Sequence, residues 1–127
     1  MTNDTSNKRP LALIIEDDQE QADIFAQALE RAEFEAEIIY DGTAALERLA
    51  AVTPALVVLD LQLPYVLGED ILHQLRADER LARTRVILAT ADPLRARLLR
   101  EKSDLILIKP VSFFQLSELA ARLHSLP

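Results

Sequence analysis

The chain of 127 residues has no cysteine, which excludes disulfides, thiolate metal sites and thiol nucleophiles together. It also lacks an excess of positive charge: 14 Lys and Arg stand against 21 Asp and Glu, a formal net charge of −7. A protein that gripped nucleic acid over its whole surface would carry the opposite balance, so direct nucleic-acid binding is not expected. No apolar run approaches the ~20 residues of a membrane-spanning helix. The first nine residues, MTNDTSNKR, have no apolar segment of the kind a secretory signal carries. They read as a frayed leader (1–9) ahead of one domain (10–126), and the expected compartment is the cytoplasm. No linker, repeat or second domain is visible.

Half of the residues are hydrophobic and 28% charged. That composition suits a folded domain and excludes a disordered tail, which could not offset its chain entropy. The charge is uneven. Positions 16–47 hold eleven acidic residues and one basic one, Arg31, whereas positions 76–102 hold eight basic and four acidic residues. Charge runs of this kind are most simply two solvated faces of opposite sign.

Five apolar runs of strand length occur at residues 11–15, 36–40, 55–59, 86–89 and 105–108. They are mostly continuous rather than alternating, as in parallel strands covered on both sides. Between and after them come helical stripes: Ala22, Phe25, Ala26 and Leu29; Leu46, Leu49 and Ala50; Ile71, Leu72 and Leu75; Leu94, Leu98 and Leu99; Leu116, Leu119, Ala120 and Leu123. Asp18, Asp92 before Pro93, and Ser112 stand where helix caps belong. Strand followed by helix five times predicts an α/β domain with a parallel sheet.

Polar residues sit at the carboxyl ends of these strands: Glu16, Asp17 and Asp18 after the first, Asp60 after the third, Thr90 after the fourth, Lys109 and Pro110 after the fifth. Ligands of open α/β sheets bind at that edge. Crowded carboxylates persist chiefly beside a cation, and oxygen donors without Cys or His select Mg²⁺. A carboxylate beside Mg²⁺ can attack phosphorus, with the Lys109 ammonium and Thr90 hydroxyl placed to meet phosphoryl oxygens.

At these residues the chain resembles a stand-alone response-regulator receiver domain of bacterial two-component signalling. The matching pieces are Ile14 through Asp18, Val57 through Pro64 with Gly68 eight residues after Asp60, Ile87 through Ala91, and Ile108-Lys109-Pro110. The resemblance implies a flavodoxin-like five-stranded parallel sheet in the order 2-1-3-4-5, helices on both faces, and a cis bond between Lys109 and Pro110. It implies that Asp60 is the phosphoacceptor, Thr90 the switch hydroxyl and Lys109 the conserved-type lysine. Mg²⁺ would be held by Asp17 and Asp60 directly, by Glu16 through water, and by the Gln62 carbonyl. Ala91 would leave room for the phosphoryl group.

The implied partners are a sensor histidine kinase or phosphotransfer protein and a downstream protein, with a homodimer through the fourth helix, fifth strand and fifth helix as a further expectation. No enzyme turnover is expected beyond self-catalysed phosphoryl acceptance and hydrolysis. His73 and His124, within helical stretches, are read as surface or partly buried residues and not as phosphodonors. Three departures stand out: a short interval from Thr90 to Lys109, Lys102-Ser103-Asp104 in place of a Gly-Ala-Asp turn, and Ile106 where the family carries Tyr or Phe. They keep open a second reading, a pseudo-receiver that binds partners without phosphorylation. A third is a small Mg²⁺-dependent phosphotransfer or phosphatase enzyme. Arg95, Arg97, Arg100 and Lys102 are read as a solvated face, or else as a docking face for an acidic protein.

Overall fold

Strands and helices alternate along the chain in a computed structural model that describes residues 8–125. The elements are β1 (Leu11–Ile15), α1 (Gln19–Arg31), β2 (Glu35–Ile39), α2 (Gly42–Ala51), β3 (Leu56–Asp60), α3 (Gly68–Ala77), β4 (Arg85–Thr90), α4 (Pro93–Arg97), β5 (Leu105–Ile108) and α5 (Phe113–Ser125), with short 3-10 turns at Glu79–Leu81 and Arg100–Lys102. The leader expected over residues 1–9 falls almost wholly outside the described residues. All four strand pairings are parallel and the sheet order is β2-β1-β3-β4-β5, as expected.

The continuous apolar runs have a direct cause. Successive side chains of a strand point to opposite faces, and both faces of this sheet are covered. Ala12, Ile14, Val58 and Ile87 pack with Phe25 and Leu29 of α1 and Leu116 and Ala120 of α5. Their chain neighbours Leu13, Ile15, Val57 and Leu88 pack on the other side with Leu49 of α2 and Ile71, Leu72 and Leu75 of α3. Each such fully buried aliphatic side chain contributes roughly 1.5–3 kcal/mol. Edge strand β2 is only half-buried, which is why its run carries Glu35 and Glu37.

The caps hold their places. Asp18 accepts from the Glu20 N–H at 3.2 Å, Asp92 from those of Leu94 and Arg95 at 3.1 and 3.2 Å, and Ser112 Oγ from that of Gln115 at 3.0 Å. The expected α4 needs correction. It has one and a half turns, and its apolar stripe is not Leu94, Leu98 and Leu99: Leu94 and Leu98 are 72% and 85% exposed, while Ala96 and Leu99 are buried. The rotation follows from Arg95, whose side chain is drawn to α3 and turns Ala96 inward.

Candidate functional site

Three central strands end at one place. Asp60, the last residue of β3, lies beside Ala89 of β4, one residue before Thr90, and Thr90 lies beside Ile108 of β5, one residue before Lys109. Glu16 follows β1 directly, its N–H donating to the Ile39 carbonyl at 3.0 Å. Parallel register thus gathers residues from four strands, with Glu16 1% exposed, Asp60 3% and Thr90 0%. The Lys109–Pro110 peptide bond is cis, as expected.

The Lys109 ammonium bridges the two buried carboxylates, 3.0 Å from Glu16 Oε1 and 3.3 Å from Asp60 Oδ2. The other oxygens are also met: the Asp18 N–H donates to Glu16 Oε2 at 3.1 Å and the Gln62 N–H to Asp60 Oδ1 at 2.9 Å. Among the described residues no buried side-chain polar atom is left without a partner. Carboxylate oxygens of Glu16, Asp17 and Asp60 lie within 4.8 Å of one another, with Asp17 exposed at the mouth. Two buried acids and one at the rim, all oxygen donors, suit a hard divalent cation such as Mg²⁺.

Charge crowding shows in the protonation. Burial first, and then the Asp60 charge, pushes the Glu16 carboxyl up from 4.5 to about 7, against the pull of Lys109 and the Asp18 N–H. Burial alone would lower the Lys109 ammonium. Its hydrogen bond to Glu16 and the charges of Asp60 and Glu16 outweigh burial and hold it above the ordinary lysine value. One positive charge against two buried negative ones leaves the pocket short of a cation.

Thr90 accepts from the Asp92 N–H through its hydroxyl oxygen at 3.0 Å, so it faces the loop that leads into α4. Gln62 is tied to the site through its N–H. Gly68 closes the loop after Asp60: a Cβ there would meet Leu61 Cα at 2.6 Å and the Asp60 carbonyl at 2.9 Å, so only glycine lets the chain fold back against the strand end. The structure brings together Glu16, Asp17, Asp60 and Lys109, with Gln62 and Thr90 joined through the adjoining loops. Asp18 and Asp92 serve as caps. His73 meets Lys102, and His124 stands edge-on to Phe34.

Arg95 corrects the solvated-face reading. Its guanidinium grips the Glu69 carboxylate by two bonds and donates to the Leu61 carbonyl at 2.7 Å. Recognition of a backbone carbonyl leaves no periodic trace in sequence. Only the acidic first turn of α3, Glu69 and Asp70, hints at a cationic neighbour. Arg97 and Arg100, by contrast, have no ion pair among the described residues, and they line a groove of about 520 Å³ with Ala96, Ile106 and Ile108. Ile106 is half-buried against the core on the α2 and α3 side.

Comparison with known proteins identifies the family and the fold. Residues 12–122 match the family model of the response regulator receiver domain. The chain is 38% identical over 117 residues to the transcriptional regulatory protein CutR of Streptomyces coelicolor, aligning 90% of itself with 52% of that protein. It is 32% identical over 123 residues to hybrid signal transduction histidine kinase D of Dictyostelium discoideum, aligning 94% of itself with 8% of that protein. It thus spans about half of the first relative and less than a tenth of the second. A CheY-like response regulator receiver domain from Methylobacillus flagellatus superimposes with a TM-score of 0.79 at 28% identity, covering 91% of this chain and 99% of that one. CheY4 of Vibrio cholerae shares the fold, at a TM-score of 0.83 and 18% identity over 91% of this chain and 99% of that one. With the match running from β1 into α5, the chain belongs to the family of response regulator receiver domains.

Proposed function

We propose that the domain is a phosphorylation-dependent switch in which Asp60 accepts a phosphoryl group from a phosphohistidine of a sensor histidine kinase or phosphotransfer protein. The observation that carries this reading is the Lys109 ammonium shared between Glu16 and Asp60, 3.0 and 3.3 Å away. An Asp60 oxygen attacks phosphorus, the phosphorus–nitrogen bond of the donor breaks, and the imidazole leaves with a proton from solvent. Lys109 is placed to neutralise one oxygen of the acyl phosphate. Mg²⁺, when bound by Asp17, Asp60, the Gln62 carbonyl and Glu16 through water, would offset charge on the transferring group. Water later hydrolyses the acyl phosphate, so the domain resets itself and turns over no separate substrate.

Thr90 gives the change a route outward. Its hydroxyl would leave the Asp92 N–H for a phosphoryl oxygen, loosening the loop that caps α4. A helix of five residues depends on such a cap, being too short to hold alone. The surface around α4, β5 and α5 exposes Leu94, Leu98, Ile108 and Phe114 beside Arg97 and Arg100. We assign to it the downstream protein partner, or a second copy of the chain, with the cytoplasm as the setting. The short Thr90–Lys109 interval and Ile106 favour the pseudo-receiver as second reading. An Asp60→Asn variant separates the two. Loss of partner regulation supports the switch, and full regulation by the variant supports the pseudo-receiver.

A further inference from the structure

We propose that Arg95 is a positioning residue for phosphoryl acceptance: it holds the carbonyl of the peptide group whose own N–H binds the acceptor Asp60. This inference rests on the reading of Asp60 as acceptor.

The Leu61 carbonyl and the Gln62 N–H belong to one planar peptide unit. Arg95 Nη2 donates to that carbonyl at 2.7 Å, and the N–H donates to Asp60 Oδ1 at 2.9 Å. With both ends held, the plane cannot rotate without breaking a bond, and a carbonyl that accepts from a cation leaves its N–H a stronger donor. The neighbouring Gln62 carbonyl, assigned above to Mg²⁺, is one residue from the anchored plane.

Arg95 is itself fixed at both ends. Its guanidinium is set by the Glu69 carboxylate at the start of α3, and this pair lowers the Glu69 carboxyl below its usual range. Its main-chain N–H donates to Asp92 Oδ1 at 3.2 Å, and the Asp92 N–H donates to the Thr90 hydroxyl at 3.0 Å. The acceptor and the switch hydroxyl therefore meet in one residue of α4. About a quarter of the Arg95 side chain is exposed, and these bonds fix the direction of its guanidinium.

The test compares Arg95→Ala, Arg95→Lys and Glu69→Gln, whose amide oxygen can keep one of the two bonds from Arg95. The first readout is the Gln62 amide proton resonance, taken without Mg²⁺ or donor. The second is the phosphorylation rate at saturating Mg²⁺ and saturating acetyl phosphate. For Arg95→Ala the resonance should move upfield and the rate fall about tenfold, with Glu69→Gln and Arg95→Lys each between that variant and wild type. Wild-type resonance and rate in Arg95→Ala would overturn the proposal, and so would equal losses in Arg95→Ala and Glu69→Gln, which would mean a general tie between α3 and α4. Should wild type take no phosphoryl group, the acceptor reading fails, and the Gln62 resonance alone decides whether Arg95 positions Asp60.

Discussion

Replacing Glu16 with glutamine should stabilise the metal-free protein above neutral pH. The Glu16 carboxyl is 1% exposed and titrates near 7 instead of 4.5. The folded chain therefore binds a proton more tightly than the unfolded chain does. Between 4.5 and about 7 the folded state carries more protons, so wild-type stability falls as pH rises through that window and levels off above it. At about 1.4 kcal/mol for each pH unit, the full cost is about 3 kcal/mol. Glutamine carries no charge and keeps one of the two oxygens, the one facing Lys109 or the one facing the Asp18 N–H, so one of those hydrogen bonds is lost and offsets part of the gain. At about pH 8 the variant should gain about 1–3 kcal/mol, and at about pH 5 less than about 1 kcal/mol. Urea denaturation with a chelator present, at both pH values, measures the difference. Equal or lower stability of the variant at the higher pH, or an unchanged pH slope, would refute the burial argument.

Three further outcomes are expected. Lys109→Ala leaves two buried carboxylates without their cation and should cost about 3 kcal/mol in chelator at neutral pH, partly recovered by Mg²⁺; an unchanged urea midpoint would contradict the ion-pair geometry. Gly68→Ala drives a Cβ into Leu61 Cα and should cost about 1–3 kcal/mol by thermal unfolding. Mg²⁺ affinity, followed by amide shifts, should strengthen as pH rises through about 7, because Glu16 must lose its proton to serve the ion.

The sheet order came with the family resemblance, but the strands themselves were legible for a physical reason: two covered faces demand unbroken apolar runs, so residues 11–15 and 55–59 mark the centre of the sheet. The same logic exposed the site, since Glu16, Asp60, Thr90 and Lys109 interrupt apolar sequence just where strands end. What periodicity misread was α4. Leu94, Leu98 and Leu99 form a plausible stripe, yet Leu94 and Leu98 face solvent because Arg95 fixes the rotation of a helix too short to be set by its own burial. Arg76 was equally hidden in the basic run: it donates to the Lys102 and Thr84 carbonyls at 2.8 and 2.9 Å instead of facing water. Side chains that read backbone carbonyls are chosen by tertiary geometry, to which composition and spacing are blind.

The central claim is that Asp60 takes a phosphoryl group in a pocket completed by Mg²⁺ and Lys109. Intact mass after treatment with acetyl phosphate and Mg²⁺ tests it directly. One added phosphoryl group on wild type, absent from Asp60→Asn and abolished by chelator, is the predicted result. A folded wild-type protein that gains no mass, or an Asp60→Asn protein that gains it equally, would contradict the account.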